Sequence, residues 1–201
     1  MSADKDYLVL PIREFLADLA AKRPTPGGGS VAAMAAATAV AQARMVVAYS
    51  LSKGASDREE ARLLELTEEL RRAGEMFGQL IREDMAAYER FAAAGKQDDP
   101  QERERAVATA ATVPMEIVVL SGAVLARLDE VKTFVNQRLV SDLQVAAILA
   151  YSAAEAAGVS VRINLDGLSD REEAERLDRR LDMLLGRADR NRNGVVHYQV
   201  S

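Results

Sequence analysis

Asp84 is a carboxylate where the pattern calls for an apolar side chain. Counting from Leu63 in alternating steps of three and four reaches Leu66, Leu70, Ala73, Phe77, Leu80, Asp84, Ala87 and Phe91, the spacing of one helix face turned to a core. An isolated buried charge costs on the order of several kcal/mol, so this residue is paired, protonated or open to a cavity. Two readings follow. In one, burial raises the pKa of Asp84 and makes it a proton carrier, retained at a cost in stability that leucine at 84 would recover as a higher melting temperature. In the other, the seam drifts locally and Asp84 meets water, Arg82 or a basic residue of another helix.

The stretch "PTPGGGS" places Gly27, Gly28 and Gly29 directly before Ser30 and a run of alanines. Glycines let backbone N–H groups approach a ligand, and the positive end of a helix capped by Ser30 suits an anion or a polar group. An ordinary loop and cap is the plainer reading, although three successive glycines exceed what a cap requires. No Gly-Lys-Ser/Thr follows and no GxGxxG follows a strand, which excludes the common nucleotide loops. Ser141 and Asp142 read first as a helix cap and a first-turn acid; the same position can aim a carboxylate into a pocket mouth. Asp189, Asn191, Asn193 and Gly194 match the start of a calcium loop, but its twelfth position is Val200, which lacks the required carboxylate, so calcium is not expected. His197, the only histidine, is expected to be solvated or held in a local contact.

The elements that position these residues are legible from helix-start chemistry. Ser56 with Glu59, Asp99 with Glu102, Ser141 with Gln144 and Ser169 with Glu172 form four capping-box pairs. They predict helices from about Pro11 to Lys22, Ser30 to Ser52, Asp57 to Ala94, Pro100 to Lys132 with a bend at Pro114, Asp142 to Ala157 ending at Gly158, and Asp170 to Ala188. The alternating "VSVRINL" lies between the last two. The helices beginning at Ser30 and Asp142 are apolar nearly all round and are expected to sit centrally. SDREEA occurs twice, at 56–61 and 169–174, but its flanks differ, so shared capping chemistry accounts for it better than duplication. The prediction is a single all-α domain over 1–201, a bundle of about five to six helices with an alanine-rich central helix.

Composition narrows the function classes. Hydrophobic residues make up 49% and aromatics 4% of 201 residues, a core of Ala, Leu and Val suited to close-packed helices or to one half of an intertwined or face-packed homodimer. A net charge of −5 without a basic stripe argues against nucleic acid as a partner. With no cysteine there is no disulfide, thiolate nucleophile or zinc–thiolate site, consistent with a cytoplasmic protein. The first residues lack the pattern of a signal peptide. Residues 31–51 are long enough to span a membrane but are mostly alanine and contain Gln42 and Arg44, so a buried helix is expected there and no membrane partner.

Taken together, "FLADLAAKRPTPGGGSVAAMAAA", "EDMAAYERF", the Val113–Pro114 pair, "VNQRLVSDLQVAA" and "VRINLDGLSD" resemble the formimidoyltetrahydrofolate cyclodeaminase / methenyltetrahydrofolate cyclohydrolase family over nearly the whole chain. The resemblance implies an all-α, dimeric or larger enzyme acting on one-carbon tetrahydrofolates, with no metal and no cofactor beyond the tetrahydrofolate substrate. It assigns Asp84 and Asp142 catalytic roles, Asp84 as proton carrier and Asp142 orienting water or the pterin. Carried over by motif, Gly27, Gly28, Gly29, Ser30, Tyr88, Asn136, Ser141 and Asn164 become substrate-binding candidates, with Arg138 and Lys96 as cations for the glutamate tail. The chain departs from the family pattern at Val135, where a glycine is usual, at Arg138, where a second asparagine is usual, and in shortened or altered loops at "AAGKQDDP" and "LSKGAS". Those departures keep two alternatives open: a non-catalytic helical dimer binding a pterin-like or other small molecule, and a hydrolase of another cyclic amidine.

Overall fold

Helix ends are set by side chains that satisfy orphan backbone groups, and the computed structural model shows which of them act. It describes residues 5–51, 56–96 and 99–199. The elements are α1 (Ile12–Ala20), α2 (Gly28–Ser50), α3 (Asp57–Ala94), α4 (Pro100–Val131), a short 3₁₀ turn (Gln137–Leu139), α5 (Val140–Leu165) and α6 (Arg171–Val196), with no strand among the described residues. Ser56 and Glu59 form a reciprocal capping box on α3, and Asp99 accepts from the amides of Gln101 and Glu102 ahead of Pro100. The other two predicted boxes are corrected. The α6 cap is Asp170, which accepts from the Glu173 amide, while the Ser169 hydroxyl donates to Glu104 at 2.6 Å. Ser141 lies inside α5, entered through the 3₁₀ turn without a side-chain cap.

Helix α5 also runs on where the sequence reading ended it. Gly158 sits inside it because α6 crosses there: a Cβ at 158 would lie 3.2 Å from Leu185 Cδ1 and 3.5 Å from Leu181 Cδ1. The apparent alternation of 159–165 is helical, with Val161 and Leu165 buried one turn apart and Val159 and Ile163 turned outward. Helix α6 extends past Ala188 to Val196, so the calcium-like residues 189–194 lie on a regular helix that cannot wrap a cation. Helix α1 is shorter than expected, starting after Pro11 and ending at Ala20.

Helices α2 and α5 lie antiparallel. Gly28 faces Ser160 at one end of the pair, and Gln42 Nε2 donates to Asp142 Oδ1 at 2.7 Å toward the other. Helix α3 lays its seam on α2 and α4: Leu63, Leu66, Leu70, Ala73, Phe77, Leu80 and Ala87 are buried as the count requires. Arg62 with Glu130 at 2.6 Å and Arg127 with Glu69 at 2.7 Å tie α3 to α4. The two apolar helices are not wholly interior. Val31, Thr38, Ala41 and Tyr49 on α2, and Val145, Ile148, Val159 and Ile163 on α5, are exposed, so each helix has one apolar stripe facing outward. Helices α2 and α4 and the segment Gln137–Leu165 are each long and apolar enough to cross a membrane; here much of that surface is packed against neighbouring helices.

Helix α4 continues through Pro114, which has no N–H to give the Ala110 carbonyl one turn back. Asn164 Nδ2 reaches across from α5 and donates to that carbonyl at 2.6 Å. The Val113–Pro114 and Ile163–Asn164 motifs are thus two halves of one repair. Asn164→Ala is expected to cost about 1–2 kcal/mol by stranding the acceptor. In a Pro114→Ala background, where residue 114 regains its N–H, the same change costs clearly less; equal losses by denaturant titration in both backgrounds would refute the pairing.

Candidate active site

The carboxylate of Asp84 lies on the N-terminus of α2. Its Oδ2 accepts from the Ser30 amide at 2.8 Å and from the Ser30 hydroxyl at 2.7 Å. The other oxygen, Oδ1, stands over Gly29 so closely that a Cβ there would be 2.0 Å from it. Gly29 is therefore needed for the approach of this carboxylate, since none of the glycines 27–29 has a left-handed backbone. Gly27, not Ser30, is the N-cap residue, and no side chain caps from that position; Asp84 supplies the missing acceptor from another helix. The loop thus has an anion of its own at the positive helix end, the place where the sequence reading put a ligand. Gly28 has ordinary room beside Ser160, at 3.4 Å, and Gly27 has open space around it.

Burial pushes the Asp84 carboxyl above its ordinary value, and the two bonds from Ser30 pull it partly back. Ionised Asp84 is accordingly the costly form. Between the ordinary and the raised pKa the folded chain keeps a proton that the unfolded chain has released, so this group's contribution to stability falls as pH rises through that interval. Leucine at 84 would not recover the cost, contrary to the expectation from the seam alone, because fully buried Ser30 would lose the partner of both its amide and its hydroxyl.

Tyr88 and Phe91 follow Asp84 on α3 at one and two turns, and both are exposed, at 44% and 42%. The seam expectation buried Phe91; the structure makes it, with Tyr88, an open aromatic surface beyond Asp84. Ser160, absent from the sequence reading, adjoins Gly28, and Asn164 lies one turn further along α5. These residues and the glycine loop form one group. Asp142, Ser141, Asn136 and Arg138 form another. Asn136 donates its amide to Ser50 Oγ at 2.8 Å and accepts from the Arg138 amide at 3.1 Å, so its side chain caps the 3₁₀ turn, while Ser141 and Arg138 are exposed. The partner of Asp142, Gln42, was also missed; a lone amide in an alanine helix was the available clue.

Ser30 and Gln42 mark the two groups on one helix, about 18 Å apart along its axis at ~1.5 Å per residue. One chain therefore does not bring Asp84 and Asp142 to the same bond. Lys96 lies past the end of α3, exposed, three turns beyond Asp84 and joined to neither group. The rest of its loop, residues 97 and 98, and residues 52–55 of "LSKGAS" lie outside the described residues. A cavity of about 620 Å³ opens elsewhere, between α3, α4 and α6, lined among others by Met76, Leu80, Met115, Val119, Leu177 and Arg180. Asp84 is not in its walls. Asp84 differs from the carboxylates lining the cavity, Glu83 and Glu116, in being held by a helix end.

The site is a part-buried carboxylate seated on a glycine-opened helix end within an all-α bundle. The sequence profile described as Formiminotransferase-cyclodeaminase matches residues 11–183, and the chain belongs to that family. It is 33% identical over 189 residues to the methenyltetrahydrofolate cyclohydrolase of Methylorubrum extorquens, covering 88% of this chain and 89% of that one. It is 27% identical to the formimidoyltransferase-cyclodeaminase of Sus scrofa, covering 92% of this chain but 36% of that longer protein. The crystal structure of formiminotetrahydrofolate cyclodeaminase from Thermotoga maritima superimposes with a TM-score of 0.86 at 27% identity, over 94% of this chain and 96% of that one.

Two substitutions probe the geometry. Ser30→Ala removes a bond that favours ionised Asp84, so the acid limb of the pH–rate profile should move to higher pH. Gly29→Ala drives the carboxylate off the helix end and should lower both activity and melting temperature; a variant as stable and active as the parent would contradict the close approach.

Proposed function

We propose that the chain is a folate one-carbon enzyme that hydrolyses 5,10-methenyltetrahydrofolate to 10-formyltetrahydrofolate or cyclises 5-formimidoyltetrahydrofolate with loss of ammonia. The observation that carries this reading is the division of labour within Asp84. Its Oδ2 is fixed by Ser30, and its Oδ1 is left to exchange a proton at a raised pKa. In the hydrolysis, water adds to the cationic methenyl carbon as one of its protons passes to Oδ1; the carbon–N5 bond then breaks as that proton is returned to N5, and the remaining hydroxyl proton is lost to solvent as the formyl carbonyl forms. In the cyclisation, N10 adds to the formimidoyl carbon and gives its proton to the carboxylate, which returns one to the departing ammonia. Both need one group that takes and gives back a proton, and Tyr88 with Phe91 offers a face for the pterin.

The assembly reading is a homodimer through the α2–α5 face. The outward apolar stripes of α2 and α5 flank the seam where Gln42 meets Asp142, and a second copy would cover them. A two-fold axis lying in that interface and across the helices sets the Asp142 end of one copy over the Asp84 end of the other. The groups separated by about 18 Å within a chain at ~1.5 Å per residue then complete one another between chains.

Asp84→Asn keeps an acceptor for Ser30 but removes the proton carrier, so turnover should fall by roughly 10²–10⁴. Loss of the ultraviolet absorbance of methenyltetrahydrofolate, and release of ammonia from the formimidoyl compound, would measure it for the two reactions. Full activity in the variant overturns the assignment. Mixing inactive Asp84→Asn with inactive Asp142→Asn chains should restore about a quarter of parental activity, because half of randomly formed dimers are mixed and each has one intact site. No restoration would place both carboxylates' work within one chain.

A further inference from the structure

The calcium-like segment 189–194 and the tail after it are unused by the proposed chemistry, yet they are tied to the Asp142 end of the molecule by several contacts. Gly194 brings α6 so close to α4 that a Cβ would lie 2.0 Å from Asp129 Oδ1. Two residues before it, the Arg192 guanidinium stacks on the Tyr151 ring of α5, 4.8 Å from the ring centre. Past the end of α6, Gln144 Nε2 donates to the Val196 carbonyl at 3.1 Å and to the Tyr198 carbonyl at 3.2 Å. Tyr198 packs against the core, and its hydroxyl meets Gln137 Oε1 at 3.5 Å. Gln137 in turn donates to the carbonyls of Val135, at 2.9 Å, and Thr133, at 3.3 Å, and so holds the turn that bears Asn136 and Arg138. From the other side, Ser50 Oγ accepts the Asn136 amide at 2.8 Å.

We propose that Gln144 and the segment Gly194–Tyr198 form a clamp that positions the Asn136–Asp142 end of the substrate site, with Gln144 as its central positioning residue. In the turn it holds, Val135 is buried and Arg138 is exposed. The backbone of that turn is fixed by Gln137 from within and by Ser50 and the tail from outside. The sequence reading took Gln144 for half of a capping box. The structure frees it from the helix start and spends both protons of its amide on the tail. The functional half of this inference rests on the folate reading above; the mechanical half does not.

Two measurements on the full chain separate them. In Gln144→Ala, amide hydrogen exchange over residues 133–142 should quicken by about tenfold, the loss expected for one to two hydrogen bonds of net ~1 kcal/mol each, while exchange over residues 27–33 stays as in the parent. Gln144→Lys, which keeps a donor of similar reach, should restore much of the protection. Unchanged exchange in the alanine variant overturns the clamp. With 5,10-methenyltetrahydrofolate as substrate, the alanine variant should raise KM by roughly three- to tenfold with kcat within about twofold, the pattern of lost uniform binding. Faster exchange with an unchanged KM overturns the positioning role and leaves a structural tie. An inactive parental protein, with the exchange result intact, would count against the folate reading alone.

Discussion

A carboxylate from α3 on the first turn of α2 is the contact on which the rest of the site depends. It satisfies an amide that every helix start leaves open, it is favoured by the helix dipole, and it requires glycine at 29 because its own oxygen occupies the volume of a side chain. The same contact joins α3 to α2 at the point where the glycine loop ends. The cluster of Lys5, Tyr7 and Arg23 around buried Asp18 fastens the segment leading into that loop. Asp84 is consequently desolvated without being isolated, which lets one carboxylate be both a structural acceptor and a group of raised pKa.

The pairing of a helix start with a part-buried acid marks one end of α2. Helix α2 carries its acid at one end through α3 and reaches Asp142 of α5 near the other through Gln42. Because α2 and α5 run antiparallel, the two acids cannot approach in one chain however the side chains turn; only the length of α2 separates them. The outward apolar stripes lie along the same pair of helices. In the homodimer proposed above, a two-fold axis across the helices would set unlike ends together, whereas an axis along the helices would leave each acid with its own kind.

Much of the fold was legible in the sequence because helix starts and a heptad seam are local, periodic features. The seam of α3 was read correctly from Leu63 to Ala87, and the Ser56–Glu59 box marks its start as the motif requires. The errors share a cause. Gly158, Ser141, Ser30 and the stretch 159–165 were judged by local propensity, and each was overruled by a partner from elsewhere in the chain: α6 at Gly158, the tail at the Ser141–Gln144 pair, Asp84 at the α2 start, and the buried positions 161 and 165. Asp84 was found because a charge breaks an apolar period. Ser160 and Phe91 were not, because nothing in a linear pattern distinguishes a serine beside a glycine loop or a seam residue beyond the end of its neighbours. Gln42 was a charge-free exception in an alanine run, noticed as an obstacle to membrane insertion and not as a partner for Asp142.

The motif residues divide unevenly between chemistry and support. Asn164 mends the carbonyl left by Pro114, Asn136 caps a 3₁₀ turn, Gly29 makes room and Ser30 fixes one carboxylate oxygen. Each is committed to the backbone or to Asp84 and has little left for a ligand. On the proposed reading, fewer groups are left to meet a substrate: Oδ1 of Asp84, the open faces of Tyr88 and Phe91, and at the far end exposed Arg138 and the Asp142 oxygen that Gln42 does not bind. A residue can therefore recur in such a pattern because the geometry of a reactive group depends on it, without touching the reacting atoms. By the same argument, exposed Arg138 sits on a turn whose backbone is otherwise secured, so a change of its charge would alter that end of the molecule without disturbing the contact of Asp84 with Ser30 at the other.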